Sequence, residues 1–176
     1  MQTPTEAAAR RHFRSKVDSI RPTYGFEDVS LAPGTETVEP NDVSLEQDFA
    51  GIPLRIPVLA AAMDAVVDAR SAGVLAALGG LAVLNLEGVP ARYDDSDPVL
   101  ERIAAAPDAE IQAVLAEAYA APIREELIAR RIAEIHATGS MVAVSATPGA
   151  ARRFGPFCAE HGADLFLVQR DRKSVV

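Results

Sequence analysis

Apolar runs alternate with amphipathic stretches along the chain from residue 56 onward. The four runs cover residues 56–63, 81–86, 141–144 and 164–168, and their only polar residues are Asn85 and Asp164. Continuous apolar runs, as opposed to alternating ones, are typical of parallel strands that are buried on both faces. The pattern therefore predicts four buried parallel strands.

The stretches between these runs have helical periodicity and helix-ending residues. Their boundaries are predicted at Asp68 to Gly79-Gly80, at Asp97-Pro98, at Asp108, at Pro122 to Gly139, and at Thr147-Pro148 to Gly162. Asp and Thr are common N-caps, proline is favoured in the first turn, and glycine commonly ends a helix. Strand and helix thus alternate, which predicts a parallel α/β protein and favours a barrel.

The two ends of the chain differ in composition from the part between them. Residues 1–23 are polar and are interpreted as an N-terminal arm, and residues 24–170 are predicted to form one domain. Residues 171–176 do not continue the fourth apolar run, and one codon choice for them spells a sequencing-adapter sequence. We expect them to be a non-native tail on a truncated reading frame.

Composition excludes several classes of function. The 176-residue chain has a formal net charge of −8, which disfavours nucleic acid and anionic membranes as partners. It contains one cysteine, and it has no apolar stretch long enough to cross a bilayer. We expect a soluble cytoplasmic protein.

Candidate chemistry lies where the predicted strands end, because barrel enzymes place their active sites at the carboxyl ends of the strands. The polar or sulfur-bearing residues at those ends are Met63, Asp64, Asn85, Glu87, Ser145, Thr147 and Gln169. Structural roles are also open to them: Asp64 as a turn cap, Thr147 as a helix cap and Glu87 as a solvated carboxylate. The pattern alone does not choose between these roles.

The single cysteine, Cys158, falls one turn after Phe154 in a predicted helix, and it is interpreted as a small buried thiol. The three histidines are far apart in the sequence, so no metal-ligand cluster is predicted. The chain also lacks the glycine-rich motifs of dinucleotide and phosphate loops.

Two segments resemble the opening of IMP dehydrogenases. Residues 24–33, YGFEDVSLAP, and residues 56–66, IPVLAAAMDAV, are similar to the family stretches TFDDVLLLP and IPLVSAAMDTVTE. The resemblance is strong over residues 24–90 and continues more weakly to Gln169. It is greatest to the actinobacterial IMP-dehydrogenase-related type. Many IMP dehydrogenases carry two CBS modules after the second strand, and residues 97–138 are too few for them. GMP reductases also lack that insert.

The resemblance implies an incomplete (β/α)8 TIM barrel, with about the first four β/α units, from a parent that is a homotetramer. The parent would convert IMP, NAD and water to XMP and NADH through a cysteine thioimidate. A GMP reductase relative, which uses NADPH, is the alternative. The family's catalytic cysteine follows the fourth strand, so Cys158 is not its counterpart. We therefore expect no catalytic residue in this chain and no activity from it alone.

The resemblance also implies four site residues. Met63 matches a methionine that packs near the purine nucleotide, and Ala60 stands where a serine near the substrate is common. Asn85 replaces a histidine on the cofactor side, and Gln169 replaces the aspartate that binds the nicotinamide ribose. Losing that carboxylate should weaken dinucleotide binding by roughly 1.5–3 kcal/mol. A non-catalytic nucleotide-binding or subunit-interaction protein is therefore a third hypothesis.

Overall fold

The structure is a computed structural model, and it describes residues 24–169. The predicted arm, residues 1–23, and the predicted tail, residues 171–176, lie outside the described residues. The chain divides into two compact units between Val43 and Ser44. The described part of the first unit contains two single 3-10 turns, Phe26–Asp28 and Pro40–Asp42.

The second unit contains all the strands and α-helices of the described residues. The strands are β1 (Gln47–Phe49), β2 (Ile52–Leu54), β3 (Leu59–Ala60), β4 (Leu81–Asn85), β5 (Ala143–Ala146) and β6 (Leu165–Val168). The helices are α1 (Ala69–Leu78), α2 (Asp97–Ala105), α3 (Ile111–Ala120), α4 (Glu125–Ala137) and α5 (Pro148–Glu160). A 3-10 turn, Val89–Ala91, follows β4.

The strands form an antiparallel β1–β2 hairpin and a four-stranded parallel sheet in the order β3-β4-β5-β6. Each parallel neighbour follows its partner in the chain after at least one helix, so every crossover is a β/α unit. This arrangement confirms the predicted fold class, an incomplete parallel barrel of about four β/α units.

Two of the predicted strands differ from the structure by two or more residues at an end, and the other two differ by one residue. Only Leu59 and Ala60 of residues 56–63 pair with β4, because the backbone turns immediately afterwards and the Met63 N–H donates to the Ala61 carbonyl at 2.8 Å. The third strand begins at Ala143, two residues later than predicted, because the Val142 N–H donates to the Asp164 carboxylate at 2.7 Å.

Helix α1 has the predicted ends. Asp68 accepts a hydrogen bond from the Ser71 N–H at 2.6 Å, and Gly79 ends the helix with φ +98°. This positive φ favours glycine, which has no Cβ to clash.

Three other predicted helix starts are wrong in detail. Helix α2 begins at Asp97 itself with Ser96 as N-cap, and Glu110, not Asp108, precedes α3. Helix α4 begins three residues after Pro122, since the chain is still extended at Arg124. The predicted start of α5 is confirmed, since Thr147 occupies its N-cap, but the Thr147 side chain makes no capping hydrogen bond.

The parallel sheet has two differently covered faces. Ala82, Leu84 and Leu86 belong to a buried cluster with residues of α4 and α5, among them Ile132 and Phe154. The alternate residues of the sheet belong to a second cluster, which is Leu81, Val83 and Ala143 with Ile52 and Leu54 of β2. Because successive strand residues point to opposite faces, the helices cover one face and the hairpin covers part of the other. We call the second face the inner face.

Candidate functional site

The polar ends of β4 and β5 lie on the inner face. Asn85 is two residues after Val83, and Ser145 is two residues after Ala143, so both side chains point to that face. Asn85 and Ser145 are also paired directly across the two strands. The structure therefore brings two of the predicted site residues together at the carboxyl ends of neighbouring strands.

Asp64 is held beside them by three donors. Its carboxylate accepts hydrogen bonds from the Asn85 amide at 2.8 Å, the Val89 backbone N–H at 2.7 Å and the Tyr119 hydroxyl at 2.6 Å. We call Asp64, Asn85, Tyr119 and the Val89 N–H the mouth cluster. A carboxylate with three donors is fixed in position, so Asp64 does more than cap a turn.

Gly88 allows the mouth cluster to form. A Cβ built on Gly88 would lie 1.9 Å from Oδ1 of Asp64, which no real contact permits. The backbone angles of Gly88, φ −84° and ψ −175°, suit any residue. The need for glycine here is therefore a need for space beside the carboxylate.

Tyr119 comes from the last turn of α3, and Arg92 fixes it there. The Arg92 guanidinium donates to the carbonyls of Tyr119, at 3.0 Å, and Ala121, and to the Glu87 carbonyl, at 3.0 Å from Nη2. It also lies 5.5 Å from the centre of the Tyr119 ring. Burial, together with the hydrogen bond to Asp64, raises the pKa of Tyr119 to about 12. The phenol therefore keeps its proton and stays a donor at neutral pH.

A second polar link joins the ends of β4 and β5. The Glu87 carboxylate accepts the Thr147 backbone N–H at 2.6 Å and the Thr147 hydroxyl at 3.1 Å. Glu87 is thus more than a solvated carboxylate, because it holds the N-cap residue of α5 through two hydrogen bonds. A negative group at a helix N-terminus is also favoured by the helix dipole.

Ser145 is the one buried side-chain polar group without a hydrogen-bond partner among residues 24–169. Its side chain is 1% exposed. Buried hydroxyls are normally paired, since an unpaired one costs roughly 1–3 kcal/mol. This hydroxyl lies beside Asn85, at the same end of the sheet as the mouth cluster.

The other predicted site residues occupy different positions. Met63 is 57% exposed and directly precedes Asp64. Gln169 is exposed after β6, and its backbone N–H donates to the Ala146 carbonyl at 2.9 Å. Ala60 is partly buried against the helix-facing cluster, on the same face as its partner Ala82. The predicted contact of Ala60 with substrate stays a prediction.

The predicted roles of Asn85 and Gln169 on the cofactor side stay predictions. Each polar atom of the Asn85 amide makes one hydrogen bond: the nitrogen donates to Asp64, and the oxygen accepts the Glu87 N–H at 3.1 Å. Gln169 offers an uncharged amide in place of a carboxylate.

Cys158 is buried in the helix-facing cluster, as predicted. Burial raises the pKa of its thiol to about 11, so it is not a thiolate at neutral pH. The thiolate is the nucleophilic form of cysteine. Residues 24–169 also contain no group of three or more His, Cys, Asp or Glu side chains that could hold a metal ion.

A cavity of about 850 Å³ opens on the helix side of Asp64, between α1 and α4. Its lining contains six carboxylates, Asp64, Asp68, Asp94, Asp95, Asp97 and Glu134, and two arginines, Arg70 and Arg131. This excess of negative charge disfavours an anionic ligand there.

An incomplete parallel barrel with polar side chains at the carboxyl ends of its strands is the architecture of barrel enzymes. The family model for the IMP dehydrogenase / GMP reductase domain matches residues 23–152. The chain belongs to this family of oxidoreductases, as the resemblance implied.

Individual relatives agree with this assignment. An uncharacterized oxidoreductase of Mycolicibacterium smegmatis is 33% identical over 86% of this chain and 42% of its own length. The inosine-5'-monophosphate dehydrogenase of Methanocaldococcus jannaschii is 42% identical over 42% of this chain and 15% of its own length. An IMP dehydrogenase/GMP reductase-like protein from Corynebacterium glutamicum matches with a TM-score of 0.76 and 29% identity, over 85% of this chain and 42% of that one.

The chain spans about two fifths of the length of the M. smegmatis and C. glutamicum relatives. In addition, none of the helices in residues 24–169 is long and apolar enough to cross a membrane.

Proposed function

We propose that this chain forms the substrate-binding part of an IMP dehydrogenase-type oxidoreductase. A purine mononucleotide would lie over the carboxyl ends of the strands, with its base beside Met63. The observation that carries this proposal is the large exposed surface of Met63, 57%, on a turn that the mouth cluster fixes. A polarizable thioether is well suited to pack on an aromatic base.

For the whole protein we propose oxidation of IMP to XMP, with NAD as the expected oxidant. The inosine-5'-monophosphate dehydrogenase of M. jannaschii supports IMP over GMP as the substrate, since it shares 42% of its residues over the matched segment. The thioimidate chemistry needs a thiolate, and Cys158 does not supply one. The contribution of the described residues is to place the nucleotide.

Calorimetric titration with IMP, GMP and AMP tests the proposal. We expect IMP to bind and Met63→Ala to weaken its binding by roughly tenfold, the factor that 1.4 kcal/mol gives. Met141→Ala is the matched control, because Met141 is 43% exposed but precedes β5, at the opposite end of the sheet.

Absence of IMP binding, or equal losses in the two methionine variants, would overturn the proposal. If GMP bound more tightly than IMP, the result would favour the alternative function, that of a GMP reductase.

A further inference from the structure

The three donors to Asp64 come from two different parts of the chain. Asn85 and Val89 belong to β4 and to the turn that follows it. Tyr119 belongs to α3, which lies 55 residues from Asp64 in the sequence. Helices α2 and α3 are joined by a bidentate ion pair between Arg102 and Glu117, with distances of 3.1 and 2.5 Å. Tyr119 is thus the donor through which this helical hairpin contacts the carboxylate.

We propose that Tyr119 is a positioning residue, through which the α2–α3 hairpin holds the Met63–Asp64 turn against the end of β4. The phenol is fixed at its base by Arg92, which binds the Tyr119 carbonyl and lies over the ring. It is fixed at its tip by the 2.6 Å hydrogen bond to Asp64. The hairpin and the turn therefore move together.

Movement of Asp64 is transmitted directly to Met63. The two residues are adjacent, and the Met63 carbonyl accepts the N–H groups of Val66 at 2.9 Å and Val67 at 3.0 Å. Val67 is buried in the helix-facing cluster, so the far end of the turn is anchored. If the Asp64 carboxylate lost its hydrogen bond with Tyr119, the exposed Met63 end of the turn would be the part that shifts.

Tyr119→Phe is the variant that tests this role, and Tyr93→Phe is its matched control. The Tyr93 hydroxyl also donates to α3, to the Ala118 carbonyl at 3.0 Å, but it does not contact Asp64. Each variant removes one hydroxyl and one hydrogen bond to the same region. A difference between them therefore reports the contact with Asp64.

Methionine methyl NMR gives a readout that does not depend on a ligand. The chain has three methionines, Met1, Met63 and Met141, so a protein labelled at the methionine methyl carbons gives a simple spectrum. We expect Tyr119→Phe to move the Met63 signal by more than its line width. The Met141 signal should stay in place, and Tyr93→Phe should move neither.

Asp64→Asn changes the acceptor of the same hydrogen bond from a charged carboxylate to a neutral amide. It should lower the pKa of Tyr119 from about 12 part of the way to the ordinary value, since burial remains. Tyrosinate absorbance measured against pH follows this change. An unaltered titration would contradict the contact.

The effect on nucleotide binding rests on the proposed function. We expect Tyr119→Phe to weaken IMP binding about fivefold, the effect of losing a single hydrogen bond. If the wild-type chain does not bind IMP but the Met63 signal still responds only to Tyr119→Phe, the positioning role stands and the proposed function fails. Equal shifts in both tyrosine variants, or a shift in neither, would overturn the positioning role.

Discussion

The helix-facing side of the sheet and the mouth at its carboxyl end are stabilised by different physical means. On the helix-facing side, Ile128, Ile132 and Val144 are fully buried, and their positions are determined by how their side chains fill the core. At the mouth, partly exposed side chains are held by hydrogen bonds of defined direction, as Asp64 is. The comparison indicates that most of the folding free energy resides on the helix side, while the mouth keeps a few polar groups in fixed positions.

The largest expected effect is on the helix-facing side. Ile132→Ala should lower the free energy of unfolding by about 2–5 kcal/mol, because it removes buried methylene groups and leaves a cavity. Leu78→Ala is the control on an exposed site, 62% exposed, and it should change stability by less than about 0.5 kcal/mol. Urea unfolding followed by circular dichroism measures both. A small effect of Ile132→Ala would mean that this side is not the stable part.

The next largest effect is expected at the mouth. Gly88→Ala should cost about 1.5–3 kcal/mol, because its Cβ displaces the Asp64 carboxylate from its donors. Gly149→Ala is the matched control: it lies in α5, a Cβ there meets nothing within 4 Å, and it should stabilise the chain by up to about 1 kcal/mol. Urea unfolding measures the stability of both glycine variants. Equal effects of Gly88→Ala and Gly149→Ala would contradict the need for space beside the Asp64 carboxylate.

Alkaline pH should weaken the two regions in different windows. Burial raises the pKa of Cys158 from 9.0 to about 11, so its contribution to stability is complete below pH 9 and is lost as pH rises to 11. The pKa of Tyr119 rises from 10.0 to about 12, and its contribution is lost between those values. Urea midpoints should therefore fall from about pH 9. Cys158→Ala should remove the earlier part of the fall and Tyr119→Phe the later part.

The smallest expected effect concerns Ser145. Because its hydroxyl has no partner within residues 24–169, Ser145→Ala should be neutral or stabilising by up to about 1 kcal/mol. Ser140→Ala is the control, since the buried Ser140 hydroxyl is paired with that of Thr138 at 2.6 Å, and it should destabilise. A clear loss of stability in Ser145→Ala would show that the hydroxyl is paired. A selective loss of IMP affinity would show that the nucleotide is its partner.

The sequence predicted the features that short-range patterns determine. The apolar runs predicted the parallel sheet, and Asp68 and Gly79 predicted both ends of α1, because a cap or a helix stop is chosen within a few residues. The predicted first strand was longer than the two residues that pair. Apolar character does not reveal where the backbone leaves the sheet at Ala61.

The mouth cluster was only partly predictable. Asp64 and Asn85 were found because they lie at the carboxyl ends of apolar runs that meet at the same edge of the sheet. Tyr119 was missed, since its contact with Asp64 spans 55 residues and depends on how a helical hairpin packs. A glycine directly before the Val89–Ala91 turn was a weak sign that a side chain approaches there. Gly88 is meaningful only once the Asp64 carboxylate is located.

The contact between Glu87 and Thr147 has a consequence for anion recognition. The amino end of a helix commonly receives a phosphate, but at α5 a resident carboxylate already occupies the Thr147 N–H. An incoming phosphomonoester would have to displace like charge to bind there. If the proposed function holds, the phosphate of the nucleotide should therefore lie away from the amino end of α5.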